Sequence, residues 1–128
     1  MKKVAVFGGS GFLGTYLVNE LLKRNYDVHS FDLNPPTDDS GVKFTKLDIL
    51  DRTKISDAFA ALKFDIVYNL AGFANLDKAV EFPVETVQLN VMGNLYILDE
   101  CRKHQVSRYV YASSAYDMSD KGTFYGIS

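Results

Sequence analysis

The sequence predicts an α/β fold, with a parallel β-sheet wound on both faces by helices, and three observations point to it. Short apolar runs alternate along the chain with segments whose apolar residues recur at helical spacing. A glycine cluster at residues 8–14 separates the first apolar run from the first helical segment. The chain has 128 residues without an internal repeat or a linker-like stretch, so we expect one domain over residues 1–128.

Five strands are predicted, and the first of them is a short continuous apolar run that is ended by glycines. Continuous apolar runs are typical of strands that are buried on both faces, as in a parallel sheet. The predicted strands are Val4–Phe7, Val28–Asp32, Val42–Leu47, Asp65–Leu70 and Tyr109–Ala112. Right-handed crossovers between them give the doubly wound strand order 3-2-1-4-5.

Three helices are predicted between these strands. The first spans residues 11–24, the second begins with Asp51 or Thr53 as its N-cap, and the third spans residues 83–103. Residues 34–41 are rich in turn formers, which predicts an irregular second crossover. An apolar stripe runs along one side of the third helix, and the sequence leaves open whether this stripe faces the core or a partner chain. Its members are Val84, Val87, Val91, Leu95 and Leu98.

Charge, hydropathy and cysteine content limit the partners that the chain can have. The net charge is −2, so no bulk attraction to nucleic acid is expected. No apolar run reaches the roughly 18 residues that a membrane span needs. The single cysteine, Cys101, excludes an internal disulfide and fits the reducing cytoplasm. Neither His29 nor His104 has further ligand residues at metal-binding spacing, so no metal site is predicted.

The glycine cluster has the spacing of a phosphate-binding turn. Gly8, Gly11 and Gly14 lie between the first strand and the first helix, and the run also contains G-x-G-x-x-G. Glycine allows the sharp turn, the close approach of a pyrophosphate to the backbone and the tight packing of helix on sheet. Backbone N–H groups at the start of the helix, around Phe12 and Leu13, can then bind an anion. We therefore predict a Rossmann-type fold that binds a dinucleotide.

Asp32 ends the second predicted strand, 18 positions after Gly14. A carboxylate at this place can accept hydrogen bonds from both hydroxyls of the adenosine ribose, and it would repel a 2′-phosphate. No Lys or Arg lies between Asp32 and Lys43 to hold such a phosphate. The predicted cofactor is therefore NAD rather than NADP.

Further segments carry a family resemblance that covers essentially the whole chain. They are residues 8–14 (GGSGFLG), 47–49 (LDI), 68–72 (YNLAG), 90–98 (NVMGNLYIL), 109–115 (YVYASSA) and 125–128 (YGIS). With these motifs the chain resembles the extended branch of the short-chain dehydrogenase/reductase superfamily, the NAD-dependent sugar-nucleotide epimerases and dehydratases. The resemblance implies cofactor contacts with the adenine, with the ribose and nicotinamide side, and from the long helix. The residues at these positions are Asp48, Ile49, Leu70, Ala71, Gly72 and Asn90.

The resemblance also implies hydride-transfer chemistry. Tyr125 would be the base, and Ser114, or Ser113 if the register shifts by one residue, would hold the substrate oxygen. Because free tyrosine has a pKa near 10, such a base needs a stabilised phenolate. In the family, a lysine four residues further on provides that stabilisation, and the cofactor carries the hydride.

The implied function is that of an NAD-dependent epimerase, dehydratase or related oxidoreductase acting on a hydroxyl of a nucleotide-linked sugar. The chain ends at Ser128, one position before the lysine of the motif. We therefore expect it to supply the cofactor-binding portion of a longer protein, without the later strands and substrate domain, and to be inactive alone. The long helix forms the dimer face in this family, which implies a homodimer. A non-catalytic dinucleotide-binding sensor or scaffold is the alternative, because the segment between Ser114 and Tyr125 is atypical.

Overall fold

The computed structural model describes residues 1–71, 81 and 83–112. Its strands are β1 (Lys3–Phe7), β2 (Asp27–Asp32), β3 (Lys43–Lys46), β4 (Ile66–Asn69) and β5 (Arg108–Tyr111). Its helices are α1 (Phe12–Lys23), α2 (Arg52–Leu62), α3 (Pro83–Val87) and α4 (Asn94–Lys103), with a π-helical segment at Gln88–Gly93. The strands form one parallel sheet in the order β3-β2-β1-β4-β5, which confirms the predicted fold and topology.

β1 lies at the centre of the sheet, which explains why the sequence begins with an apolar run. Its residues pair in parallel with β2 on one side and β4 on the other, so that Val4 is opposite both Val28 and Ile66. Successive side chains of a strand point to opposite faces of the sheet. Ala5 and Phe7 therefore pack with residues of α2 and α4, whereas Val4 packs with residues of α1.

The boundaries of the first two helices follow from their capping residues. Gly11 is the N-cap of α1, and Arg24 is its C-cap. Asp51 is the N-cap of α2, and its carboxylate accepts the Lys54 N–H at 3.1 Å. This bond decides between the two caps that the sequence allowed. Residues 33–42, between β2 and β3, contain neither helix nor strand, as predicted for the second crossover.

The segment predicted as one helix over residues 83–103 is helical but not uniform. The π-helical segment separates α3 from α4. A π-helical turn is wider than an α-helical turn, so it changes which of the following side chains face the sheet. Ile97 and Cys101 are buried, whereas three members of the predicted apolar stripe are not. Val84, Leu95 and Leu98 are exposed, and Val91 is partly buried.

Candidate functional site

The strand order reverses between β1 and β4, and the strand ends at this place border a cavity of about 240 Å³. In doubly wound α/β proteins, ligands bind in such crevices beyond the carboxyl ends of the strands. The structure brings most of the predicted cofactor contacts together here. Those that line the cavity are Gly8, Gly11, Asp32, Asp48, Ile49, Leu70 and Ala71.

Two glycines of the turn are required by the fold itself. Gly8 has a φ of 83°, in the left-handed region that favours glycine, and its N–H donates to the Phe31 carbonyl at 2.7 Å. A Cβ at Gly14 would lie 2.1 Å from the Gly8 carbonyl oxygen, because α1 packs directly against the turn. The chain can therefore turn off β1 into α1 only with glycine at both positions.

Gly11 differs, because the fold does not require glycine at this position. Its φ of −74° and ψ of 179° are open to any residue. Within the part of the chain that the structure describes, the nearest atom to a Cβ built there is the Gly8 carbonyl oxygen at 3.6 Å, an ordinary van der Waals distance. Gly11 nevertheless lines the cavity, and among the described residues no side chain caps the N-terminus of α1. A glycine here leaves room for a ligand at the open end of the helix.

The N–H groups that follow Gly11 have no acceptor within the helix. The first hydrogen bond of α1 runs from the Thr15 N–H to the Gly11 carbonyl at 2.8 Å. The N–H groups of Phe12, Leu13 and Gly14 come before this bond and therefore have no acceptor within the helix. The side chains of Phe12 and Leu13 are exposed, and neither residue lines the cavity. The predicted contribution of these two residues is therefore a main-chain one.

Asp32 is held by two backbone N–H groups, one on each of its carboxylate oxygens. Its Oδ2 accepts the Ser10 N–H at 3.0 Å, and its Oδ1 accepts the Asn34 N–H at 3.0 Å. The Ser10 hydroxyl donates to the Asn34 carbonyl at 2.7 Å. A carboxylate oxygen can accept more than one hydrogen bond, so both oxygens keep capacity for hydroxyls of a ligand. Sequence reasoning missed the anchoring roles of Ser10 and Asn34.

The side of the cavity next to β3 is mostly apolar. Asp48 is held by its own loop, because its Oδ1 accepts the Leu50 N–H at 2.9 Å. Ile49 is buried and packs on the π-helical segment, where a Cβ at Gly93 would lie 2.4 Å from the Ile49 Cδ1. Leu33 and Leu47 complete this apolar wall and were missed from the sequence. The apolar Leu33 directly after Asp32 is the sequence feature that could have predicted this apolar wall.

The wall next to β4 is formed by Leu70 and Ala71. The Leu70 N–H donates to the Phe7 carbonyl at 2.8 Å, and the Ala71 N–H donates to the Asn69 side-chain oxygen at 3.0 Å. Asn90 is buried in the π-helical segment but is not part of the cavity lining. Its carbonyl accepts the Tyr111 hydroxyl at 3.5 Å, so its predicted bridging role stays a prediction.

Several predicted site residues lie outside the described residues. They are Gly72, Ser113, Ser114 and Tyr125, and their roles remain predictions. Within the described ranges, no group of three His, Cys, Asp or Glu side chains could hold a metal ion. The same part of the chain contains no helix with the length and hydropathy of a membrane span.

The sequence profile of the NAD dependent epimerase/dehydratase family matches residues 4–124. The chain belongs to this family. Among its relatives, the UDP-glucose 4-epimerase of Mus musculus is 30% identical over 90% of the chain. The dTDP-D-glucose 4,6-dehydratase of Dictyostelium discoideum is 25% identical over 89% of it. The chain spans 38% of the length of the first relative and 29% of the second.

Solved structures of epimerases show the same fold. A UDP-glucose 4-epimerase of Thermus thermophilus in complex with NAD superposes with a TM-score of 0.81 at 33% identity, over 88% of this chain and 37% of that one. The enzyme of Bifidobacterium longum in complex with NAD+ and UDP gives a TM-score of 0.83 at 30% identity, over 91% and 38%. The predicted membership of an NAD-dependent epimerase and dehydratase family is thereby confirmed.

Proposed function

We propose that this chain forms the NAD-binding part of an epimerase or dehydratase that acts on a nucleotide-linked sugar. The observation that carries the proposal is the meeting of the glycine turn, the start of α1 and Asp32 around one cavity. The family match supports it. The named relatives are enzymes, which favours this function over a non-catalytic sensor or scaffold.

Gly11 and the start of α1 would hold the diphosphate of the dinucleotide. The amides of Phe12 and Leu13 donate to its oxygens, and the positive end of the helix dipole adds to the attraction. The room at Gly11 fits this role, because a ligand can approach the backbone where a side chain would otherwise stand. The turn thus binds the charged centre of the cofactor without any basic side chain.

Asp32 and the apolar wall would hold the adenosine of the cofactor. Asp32 accepts hydrogen bonds from the ribose hydroxyls with the capacity left by its two backbone donors. Its negative charge repels a 2′-phosphate, so NAD is preferred over NADP. The apolar wall would receive the adenine, and Asp48 and Ile49 would contact it as the resemblance implies.

The chemistry is proposed for the whole protein, of which this chain is the cofactor-binding portion. Bound NAD supplies a hydride acceptor. Tyr125 takes the proton from the substrate hydroxyl, and Ser114 holds the oxygen of that hydroxyl. Residues 1–128 alone are proposed to bind cofactor weakly and to turn over nothing, since the relatives that catalyse such reactions are much longer.

The substrate class follows from the relatives, whose names specify UDP-glucose and dTDP-D-glucose. Its test is to incubate the full-length protein with NAD and each of these two compounds, and to identify products by NMR. We expect conversion at the sugar C4 of at least one of them. Tyr125→Phe should lower kcat at least about 100-fold and leave the Kd for NAD unchanged. No conversion of either compound by a protein that binds NAD would refute the proposed substrate class.

The cofactor assignment is tested by calorimetric titration of the full-length protein with NAD and with NADP. We expect NAD to bind at least about tenfold more tightly. Asp32→Asn should weaken NAD binding and narrow that preference. Asp38→Asn is the matched control, because it removes the same charge from an exposed carboxylate that contacts Asn19 outside the cavity. Tighter binding of NADP than of NAD would overturn the assignment.

The proposal includes a homodimer and a cytoplasmic location. The exposed face of α3, the π-helical segment and α4 carries Val84, Met92, Leu95 and Leu98, and such a row of large apolar side chains is typical of an interface. A second copy of the chain is the proposed occupant. The single cysteine supports a reducing compartment.

Analytical ultracentrifugation of the full-length protein tests the dimer. The wild type should sediment as a dimer and the double variant Leu95→Glu/Leu98→Glu as a monomer. Tyr16→Glu is the control, because it adds a charge at an exposed aromatic residue of α1, which packs on the other face of the sheet. A wild-type protein that stays monomeric at high micromolar concentration would rule out the dimer. The proposed cytoplasmic location is tested separately, by cell fractionation.

A further inference from the structure

Three polar side chains form a closed hydrogen-bond network behind the cavity, between β4, β5 and α4. Asn69 ends β4 and is only 1% exposed. Its side-chain N–H group donates to the Tyr109 hydroxyl at 3.2 Å and to the Asn94 Oδ1 at 3.4 Å. The Tyr109 hydroxyl in turn donates to the Asn94 Oδ1. Each element packed at this place therefore contributes one member.

The network ends on the backbone that forms the cavity wall. The Asn69 Oδ1 accepts the Ala71 N–H. The side chain that donates to Tyr109 and Asn94 therefore also holds the backbone two residues further along the chain. Leu70 and Ala71 lie directly against the glycine turn, since a Cβ at Gly8 would be 2.7 Å from both the Leu70 carbonyl carbon and the Ala71 nitrogen. A shift of this wall would therefore displace the turn or widen the cavity.

The hydroxyl at the centre of the network keeps its proton. Burial raises the pKa of Tyr109 well above its ordinary value, and the hydrogen bond from Asn69 offsets this only in part. The direction of the hydrogen bonds is then fixed, because Tyr109 is a constant donor to Asn94 and a constant acceptor from Asn69. A partly buried network of this kind holds its members in one arrangement.

We propose that Tyr109 and Asn94 are positioning residues for the dinucleotide, which act through Asn69 on the wall at Leu70 and Ala71. They set the distance between this wall and the glycine turn, and thereby the affinity of the cavity. The inference rests on the proposed NAD-binding function. Neither Tyr109 nor Asn94 lines the cavity, so their effect on NAD affinity would be separate from the contacts of the glycine turn and Asp32.

The test measures the Kd for NAD and the hydrogen exchange of the Ala71 amide in the same set of full-length variants. Tyr109→Phe removes one hydroxyl, and Asn94→Ala removes the acceptor of that hydroxyl. Each should weaken NAD binding about three- to tenfold and speed exchange of the Ala71 amide in the cofactor-free protein. Asn94→Asp restores the acceptor and should return the Kd to within about twofold of wild type. Tyr26→Phe is the control, because it removes the same atom from a partly buried tyrosine before β2, at the other end of the sheet.

The outcomes separate this inference from the function on which it rests. A wild-type protein that does not bind NAD would overturn both. If the wild type binds NAD while Tyr109→Phe and Asn94→Ala bind it within twofold and leave Ala71 exchange unchanged, the network is merely structural. A lowered melting temperature in those variants would support that structural role. The inference would then be wrong, and the proposed function would stand.

Discussion

Replacing Gly9 by alanine tests how closely the glycine turn packs against β2. A Cβ at Gly9 would lie 2.0 Å from the Ser30 Oγ and 3.0 Å from the Ser30 Cβ. Both distances are shorter than normal contacts, so the Ser30 hydroxyl must turn away within the buried strand or the turn and the strand must move apart. Overpacking of this kind costs about 1–3 kcal/mol of unfolding free energy, and we expect Gly9→Ala to fall in this range.

Ser30 makes this prediction sharper, because its hydroxyl can be removed independently. Ser30 is 1% exposed, and its Oγ has no hydrogen-bond partner among the described residues. A buried hydroxyl without a partner costs about 1–3 kcal/mol, so Ser30→Ala should be neutral or should stabilise the protein by up to about 1 kcal/mol. In the double variant the new methyl group no longer meets an oxygen, and its nearest contact is the Cβ at 3.0 Å.

The assay is urea unfolding of the wild type, both single variants and the double variant, followed by circular dichroism. The double variant should be more stable than the sum of the single effects predicts, with a coupling energy of about 1–2 kcal/mol. Additivity to within about 0.3 kcal/mol would refute the packing argument. So would a Gly9→Ala protein as stable as wild type.

Two further predictions concern ionisable side chains. Burial raises the pKa of Cys101 to about 12. Its thiol should therefore react with an aromatic disulfide reagent at least about 100-fold more slowly in the folded chain than in the urea-unfolded chain. Equal rates in the two states would contradict the burial of this side of α4. A hydrogen bond from Lys43 holds the pKa of Asp27 below its ordinary 3.8. Asp27→Asn should therefore cost about 0.5 kcal/mol at neutral pH, and the cost should disappear as the pH falls through the lowered pKa of the wild-type carboxyl. A cost that is the same in acid and at neutral pH would exclude this ion pair as its source.

The parts of the fold that the sequence predicts are those controlled by local chemistry. The apolar run of β1 fixes its central place, because only a strand buried on both faces lacks polar alternation. Asp51 caps α2 through a bond to a residue three positions away. The glycine turn and Asp32 depend on short spacings in one βαβ unit, so their place at the cavity was predictable.

The parts that could not be predicted depend on contacts between distant segments. The apolar spacing over residues 83–103 suggests a continuous α-helix, and nothing local reveals the π-helical segment that turns Leu95 and Leu98 outward. The pairing of Asn69 with Tyr109 joins residues 40 positions apart. The hydrogen bond from the Ser10 N–H to Asp32 likewise joins residues 22 positions apart, and it forms only when the glycine turn has folded against the end of β2.

The most direct test of the account is the Kd for NAD of Gly11→Ser, measured by calorimetry together with its unfolding free energy. Serine is a better N-cap than glycine by a few tenths of a kcal/mol (about 0.3), and the chain itself leaves room for its Cβ. We predict a protein at least as stable as wild type that binds NAD at least about tenfold more weakly, because the side chain occupies the place of the diphosphate. Unchanged NAD affinity in this variant would contradict the claim that the start of α1 holds the cofactor.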